Sequence, residues 1–180
     1  MNKSDHYTGV AKALHWTMAA VIVVAWIIGY YASTLVYGVD AAKAGTITLH
    51  KSIATLTLFL IVARVLWRLT HRPPALTGMS PITQTAAHAG HFLLYGVMVA
   101  LPVVGWGYSS AAGYDVPVAG LFHIPRLVAK NDALRDIFKA AHFWLAWGIF
   151  ALVLGHVGFA LKHRFIDRDG TLASMLPRRS

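Results

Sequence analysis

Apolar side chains gather in four long runs along the chain, separated by shorter stretches in which glycine, proline and charge reappear. The first run covers about 14–36, LHWTMAAVIVVAWIIGYYASTLV, and the second 47–69, ITLHKSIATLTLFLIVARVLWRL. The third covers about 89–108 and the fourth about 140–161. Each supplies the ~20 residues that carry a helix across a hydrocarbon core. A backbone surrounded by lipid must satisfy its own hydrogen bonds, which leaves helices and closed barrels as the spanning structures. The pattern therefore predicts an all-α integral membrane four-helix bundle. Too little polar sequence remains for another folding unit, so residues 1–180 read as a single transmembrane domain.

The connections have their own signals. A polar lead, MNKSDHYTGVAKA, opens the chain, and YGVDAAKAGT at 37–46 makes a short loop. In THRPPALTGMSPITQ, the prolines Pro73, Pro74 and Pro81 should stop a helix and keep the linker extended. Pro102 should kink the third span, which membrane bundles tolerate. The longest connection, Ser109–Asn131, contains Gly113, Pro117, Gly120 and Pro125. Asp132 reads as the N-cap of a last helix that begins outside the bilayer with DALRDIFKA.

Composition sharpens the class. Of the residues, 57% are hydrophobic and only 13% charged, against about 25% charged in a soluble domain. The formal net charge of +9 sits at the ends of the apolar runs, with no basic helix or lysine-rich arm of the kind that grips nucleic acid. Of the 16 Lys/Arg, Lys43, Lys51, Arg126, Lys130, Arg135 and Lys139 fall at one end of the bundle and the other ten at the opposite end. By the positive-inside tendency, both termini belong in the cytoplasm. The absence of cysteine excludes disulfides, thiolate ligation of iron–sulfur clusters and covalent c-type haem attachment. The first run exceeds the 7–15-residue core of a signal peptide, so it reads as a retained span.

The ten histidines carry the chemistry. Depth sorts four of them into two pairs. His50 and His142 lie at the outer ends of the second and fourth spans, and His15 and His156 at the inner ends of the first and fourth. Polar groups in a membrane need partners, and neutral imidazole is the commonest metal ligand. Two facing imidazoles per level suit one planar iron porphyrin each, edge-on in the bundle. Zinc prefers three or four protein ligands in a tetrahedron, which a two-histidine level does not supply. Two axial imidazoles leave iron no open position, so the expected chemistry is one-electron transfer. Arg64 follows His50 by the fourteen residues that separate His142 from His156, about 21 Å of helix. It should face the inner level, where a haem propionate is a fitting counter-charge, or else snorkel to the surface with Arg68.

With these residues in view, the chain resembles the bacterial cytochrome b561 family of small di-haem membrane proteins. ALHW around His15, ITLHKS around His50, RVLWR, AGH at 89–91, the paired histidines of the fourth span and LKHRFIDRDGTL carry the resemblance. It runs from about Tyr7 to Arg179. It implies two non-covalent b haems, the inner one ligated by His15 and His156 and the outer by His50 and His142. It also implies electron exchange with quinones such as ubiquinone, in the respiratory membrane. One branch looks like a superoxide oxidase that passes the electron of superoxide to ubiquinone, whereas HKS and LKHRFIDRDGTL look closer to a sister branch.

His163, two turns beyond His156, and His88 and His91, opening the third span, are candidates for binding quinone or supplying its protons. Lys51 and Lys139, near His50 and His142, are candidates for steering an anion to the outer face. His6, His71 and His123 read as surface residues. The leading expectation is an oxidoreductase linking an outer-side donor, superoxide foremost, to the quinone pool. Two alternatives stand beside it. One is an electron-transfer subunit that docks a periplasmic redox partner on the Ser109–Asn131 loop. The other is a metal or proton transporter with histidines along its path.

Overall fold

A computed structural model describes residues 7–71, 73–74 and 80–176. His6 and the middle of the 70–84 linker lie outside the described residues. Among the described residues, four helical rods are long and apolar enough to cross a membrane: Gly9–Thr34, Lys43–Thr70, Pro81–Ala111 and Asp132–Asp167. Their large apolar side chains point mostly outward, as at Trp144, 71% exposed, which suits a lipid surround.

The first rod is α1, Gly9–Thr34, capped by Thr8, whose hydroxyl accepts from the Ala11 amide. At its far end Lys43 donates to the Ala32 and Leu35 carbonyls. That satisfies acceptors a helix terminus leaves open. The second rod is divided into α2, Lys43–Ala54, and α3, Leu56–Thr70, where the sequence pattern suggested one unbroken span. The cause is local. The Thr55 and Thr57 hydroxyls bond back to the Lys51 and Ala54 carbonyls, and the Leu58 amide reaches the Thr55 carbonyl three residues back. Such back-bonding tightens and bends a helix.

The third rod, α4, runs from Pro81 to Ala111, continuous through Pro102. Pro81, expected to stop a helix, instead opens this one, with the Ser80 side chain accepting from the Thr83 amide. Proline suits a first helical turn, where its missing N–H would have no partner anyway. The fourth rod is α5, Asp132–Lys162. Its N-cap is Asn131, not Asp132, since Asn131 Oδ1 accepts from the Leu134 amide at 3.0 Å. Asp132 takes the next position, where its charge complements the helix N-terminus.

Between α4 and α5 lies a small antiparallel hairpin of β1, Val116–Val118, and β2, Phe122–Ile124, with Val118 opposite Phe122. Ala119 and Gly120 both take positive φ in its three-residue loop, as the central pair of a β-turn closed by the Leu121 amide on the Val118 carbonyl at 2.9 Å. Val116 and Val118 are buried, and the Ala119 amide bonds the Ser52 carbonyl of α2 at 3.1 Å.

α1 packs along α2 and α3, α4 packs along α5, and α3 touches α4. α1 and α5 meet through long side chains: the Trp26 indole donates to the Ala146 carbonyl at 3.0 Å and stacks on Phe150. The end where α1 begins and α5 finishes is called the inner end here. There α5 passes into one π-turn, His163–Asp167, and a short helix α6, Thr171–Met175, folds back on α1. Lys12 donates to the Leu176 carbonyl and Trp16 to the Met175 carbonyl.

Candidate functional site

At the outer level, His50 of α2 and His142 of α5 face each other with ring centroids 6.1 Å apart and planes at 84°. His50 Nδ1 lies 2.8 Å from the Ala25 carbonyl of α1. A carbonyl can only accept, so Nδ1 carries the proton and Nε2 presents a lone pair, the state a metal ligand needs. Nδ1 of His142 is buried without a hydrogen bond of good geometry among the described residues. Two glycines make room for these rings. A Cβ on Gly29 would lie 2.7 Å from the His50 ring, and one on Gly105 would lie 3.0 Å from that of His142.

At the inner level, His15 of α1 and His156 of α5 stand 6.1 Å apart at 51°. A third imidazole joins them: His91 of α4 lies 5.5 Å from His156. Arg64 turns inward rather than to the surface, donating from Nε to the Tyr95 hydroxyl and from a terminal nitrogen to His15 Nδ1, both at 2.9 Å. A guanidinium cannot accept, so a neutral His15 here holds its proton on Nε2. The outer pair therefore fits metal ligation as it stands. The inner pair fits once Arg64 releases Nδ1 of His15, which frees Nε2 to change tautomer.

Every rod obeys the same interval. His15 and Gly29, His50 and Arg64, His91 and Gly105, and His142 and His156 are each fourteen residues apart. One member of each pair lies at the outer level and the other at the inner. Gly29, Gly105 and Tyr95 escaped the sequence reading, which did not extend this interval beyond the histidine spans.

The remaining candidates scatter. Exposed Arg68 lines an inner crevice with Tyr7, Arg64, Trp67, His71 and Tyr95. Burial raises the Tyr7 phenol above its ordinary pKa, opposed by the charges of Arg68 and Arg64. His71 is exposed and stacks on Trp67 at 3.8 Å. His88, His123 and Lys139 are exposed. Lys51 is half-buried, donating to Ser109 Oγ at 2.8 Å. His163 is 5% exposed, with Nδ1 at 2.6 Å from Asp169 and 3.1 Å from Asp167. Among the described residues, these three form a group close enough to hold a metal ion. Lys162 already binds Asp167 at 2.6 Å and the Thr171 amide binds Asp169 at 2.9 Å, so the group is self-satisfied as a clasp.

Comparison with known proteins agrees with this architecture. A family model described as prokaryotic cytochrome b561 matches residues 6–178. The chain is 39% identical over 180 residues to cytochrome b561 homolog 2 of Escherichia coli strain K12, covering 99% of this chain and 95% of that protein. It is 27% identical over 176 residues to the probable superoxide oxidase CybB of Yersinia pestis, covering 96% and 97%. Cytochrome b561 homolog 1 of Escherichia coli strain K12 matches at 30% over 132 residues, 72% of this chain and 74% of that one. With four membrane-length helices and a family match over nearly its whole length, the chain belongs to the prokaryotic cytochrome b561 family, as a multi-pass bacterial membrane cytochrome of haem b that serves electron transfer.

Proposed function

We propose that this protein is a di-haem electron relay between the outer side of the bacterial cytoplasmic membrane and the membrane quinone pool. In this reading residues 1–180 form one transmembrane domain with both termini in the cytoplasm. The observation that carries it is the pair of facing imidazole couples, each 6.1 Å between centroids, at two heights on α5. Two imidazoles that shared one metal through nitrogens ~2 Å from it would stand with centroids roughly 6 Å apart. When bound, haem b would supply a reversible one-electron centre at each level, held by the two imidazoles there.

The chain's own residues do the rest. His50 and His142 hold the outer group and His15 and His156 the inner, while Gly29 and Gly105 keep the outer imidazoles free of crowding. The Ala25 carbonyl fixes the tautomer of His50. Arg64, released from His15, offers its guanidinium to a propionate carboxylate. His163, His91 and His88 are the candidates for holding the quinone, ubiquinone in this reading, and for moving its protons. Of these, His163 is held at Nδ1 by Asp169 and Asp167, so Nε2 is its nitrogen for a quinone contact. Lys139, exposed, and Lys51 are the candidates for drawing an anion to the outer face.

Superoxide is the leading donor. The name of the Yersinia pestis relative supports it, and a small anion needs no large docking surface. A second reading makes the protein an electron-transfer subunit for a periplasmic partner, and the hairpin favours it by exposing Leu121 at 82% and Phe122 at 50%. Membership in a cytochrome family leaves the transporter reading without support. Reduced-minus-oxidised spectra with haem quantified per chain test the relay. We expect two haems in the wild type and one in His50→Ala or His156→Ala; a colourless protein, or haem content indifferent to both changes, rejects it. Superoxide pulses that fail to reduce the purified cytochrome reject the donor alone.

A further inference from the structure

Lys51 is the residue after His50, and its ammonium is not free in solvent. It donates to Ser109 Oγ at 2.8 Å and stands 5.2 Å from the centre of the Tyr114 ring. Ser109 is itself 3% exposed and donates to the Tyr114 carbonyl at 3.2 Å, so its lone pairs are turned toward the ammonium. Among the described residues no carboxylate pairs with Lys51. Ser109 lies four residues beyond Gly105 on α4, one turn and about 6 Å farther out. Because Gly105 abuts His142, Lys51 bridges α2 to α4 just above the outer imidazole pair. The Ala119–Ser52 bond fastens the hairpin over the same spot.

A cation tethered in this way also acts on whatever is held beside it. We infer that Lys51, pinned by Ser109 and Tyr114, is a positioning residue whose fixed positive charge raises the reduction potential of the outer haem relative to the inner one. The inference rests on the outer imidazole pair holding haem. Reduction adds one electron, and a nearby positive charge in a medium of low dielectric favours the state with that electron. The cation–π contact and the serine hold the charge in place, whereas a solvated lysine would be screened.

Spectroelectrochemical titration of the purified holoprotein tests this, with the outer-haem wave identified as the one lost in His50→Ala. In Lys51→Met that wave should move to more negative potential while the other stays in place, and Lys51→Arg should restore most of the shift. Tyr114→Leu, which loosens the tether and leaves the lysine, should give a smaller shift in the same direction. If Lys51→Met fails to assemble, Lys51→Gln and Tyr114→Leu carry the same reading. Unmoved waves, equal movement of both, or an arginine variant as negative as the methionine one would overturn the inference. Failure of the underlying reading looks different, because His50→Ala would then remove no haem.

Discussion

A methyl group on Gly29 would sit 2.7 Å from the His50 ring, closer than nonbonded atoms approach. The ring cannot retreat freely, since its Nδ1 is bound to the Ala25 carbonyl of the same helix. Gly29→Ala should therefore push His50 off its axis, at a cost of about 1–3 kcal/mol for overpacking, and halve the haem recovered per chain. Gly105→Ala, whose Cβ would meet His142 at 3.0 Å, should do the same less completely. Pyridine haemochrome assay against protein concentration reads both; full haem content in Gly29→Ala would show that the close approach has no bearing on cofactor capture. At this scale the sequence was partly legible. An imidazole in an apolar run announces itself, but a glycine does so only when compared with a histidine fourteen residues away. His91 illustrates the converse. It was a quinone candidate from its place at the start of a span, yet only the packing of α4 on α5 brings it to 5.5 Å from His156.

Helix termini lie where the apolar signal has already faded, so the start of α4 was read too late. Hydropathy placed the third span at 89–108, whereas α4 begins at Pro81, because a capping serine and a first-turn proline belong to polar sequence. The hairpin was missed for a related reason: strands of three residues with Pro117 inside give no periodicity to detect. Asn131→Ala should remove one cap and cost about 1 kcal/mol, lowering the thermal midpoint by roughly 2–4 °C. An unchanged midpoint would mean the cap is replaced by solvent. The clasp after α5 carries a pH dependence. Burial alone would raise the Asp169 carboxyl, but bonds from Thr171 and His163 outweigh it and hold its pKa below the ordinary value. A group depressed on folding stabilises the fold fully above its unfolded pKa, near 4, and this contribution is lost as the pH falls through the folded value. Hydrogen exchange across 170–176 should accelerate as pH is lowered below about 4, after correction for intrinsic rates. Asp169→Asn should exchange rapidly at every pH. Equal protection in the variant and the wild type would sink the clasp.

For the molecule as a whole, the charge asymmetry and the fold point the same way. The start of α1 and the segment after α5 lie together, joined by the Lys12 and Trp16 bonds to the last described residues, as the proposal of two cytoplasmic ends requires. Fluorescent-protein fusions at either end should be bright and alkaline phosphatase fusions inactive, which is the signature of cytoplasmic ends. A phosphatase-active C-terminal fusion would invert the assignment of donor and quinone faces. Fold class was legible at this scale because lipid leaves so few options to a backbone. The closing of the inner end by α6 was not, since it depends on a π-turn and on Arg168 in a left-handed conformation, with φ 54°.

The unbroken course of α5 from Asp132 to Lys162 makes that helix a measuring rod as well as a support. Inserting one residue midway between His142 and His156 would rotate one imidazole by about 100° relative to the other, turning it toward lipid. Removing four residues would nearly restore the phase while shortening the step by about 6 Å. Phase and length can thus be varied separately: the insertion should empty one level, whereas the deletion should set α5 out of step with the three rods that keep the original spacing.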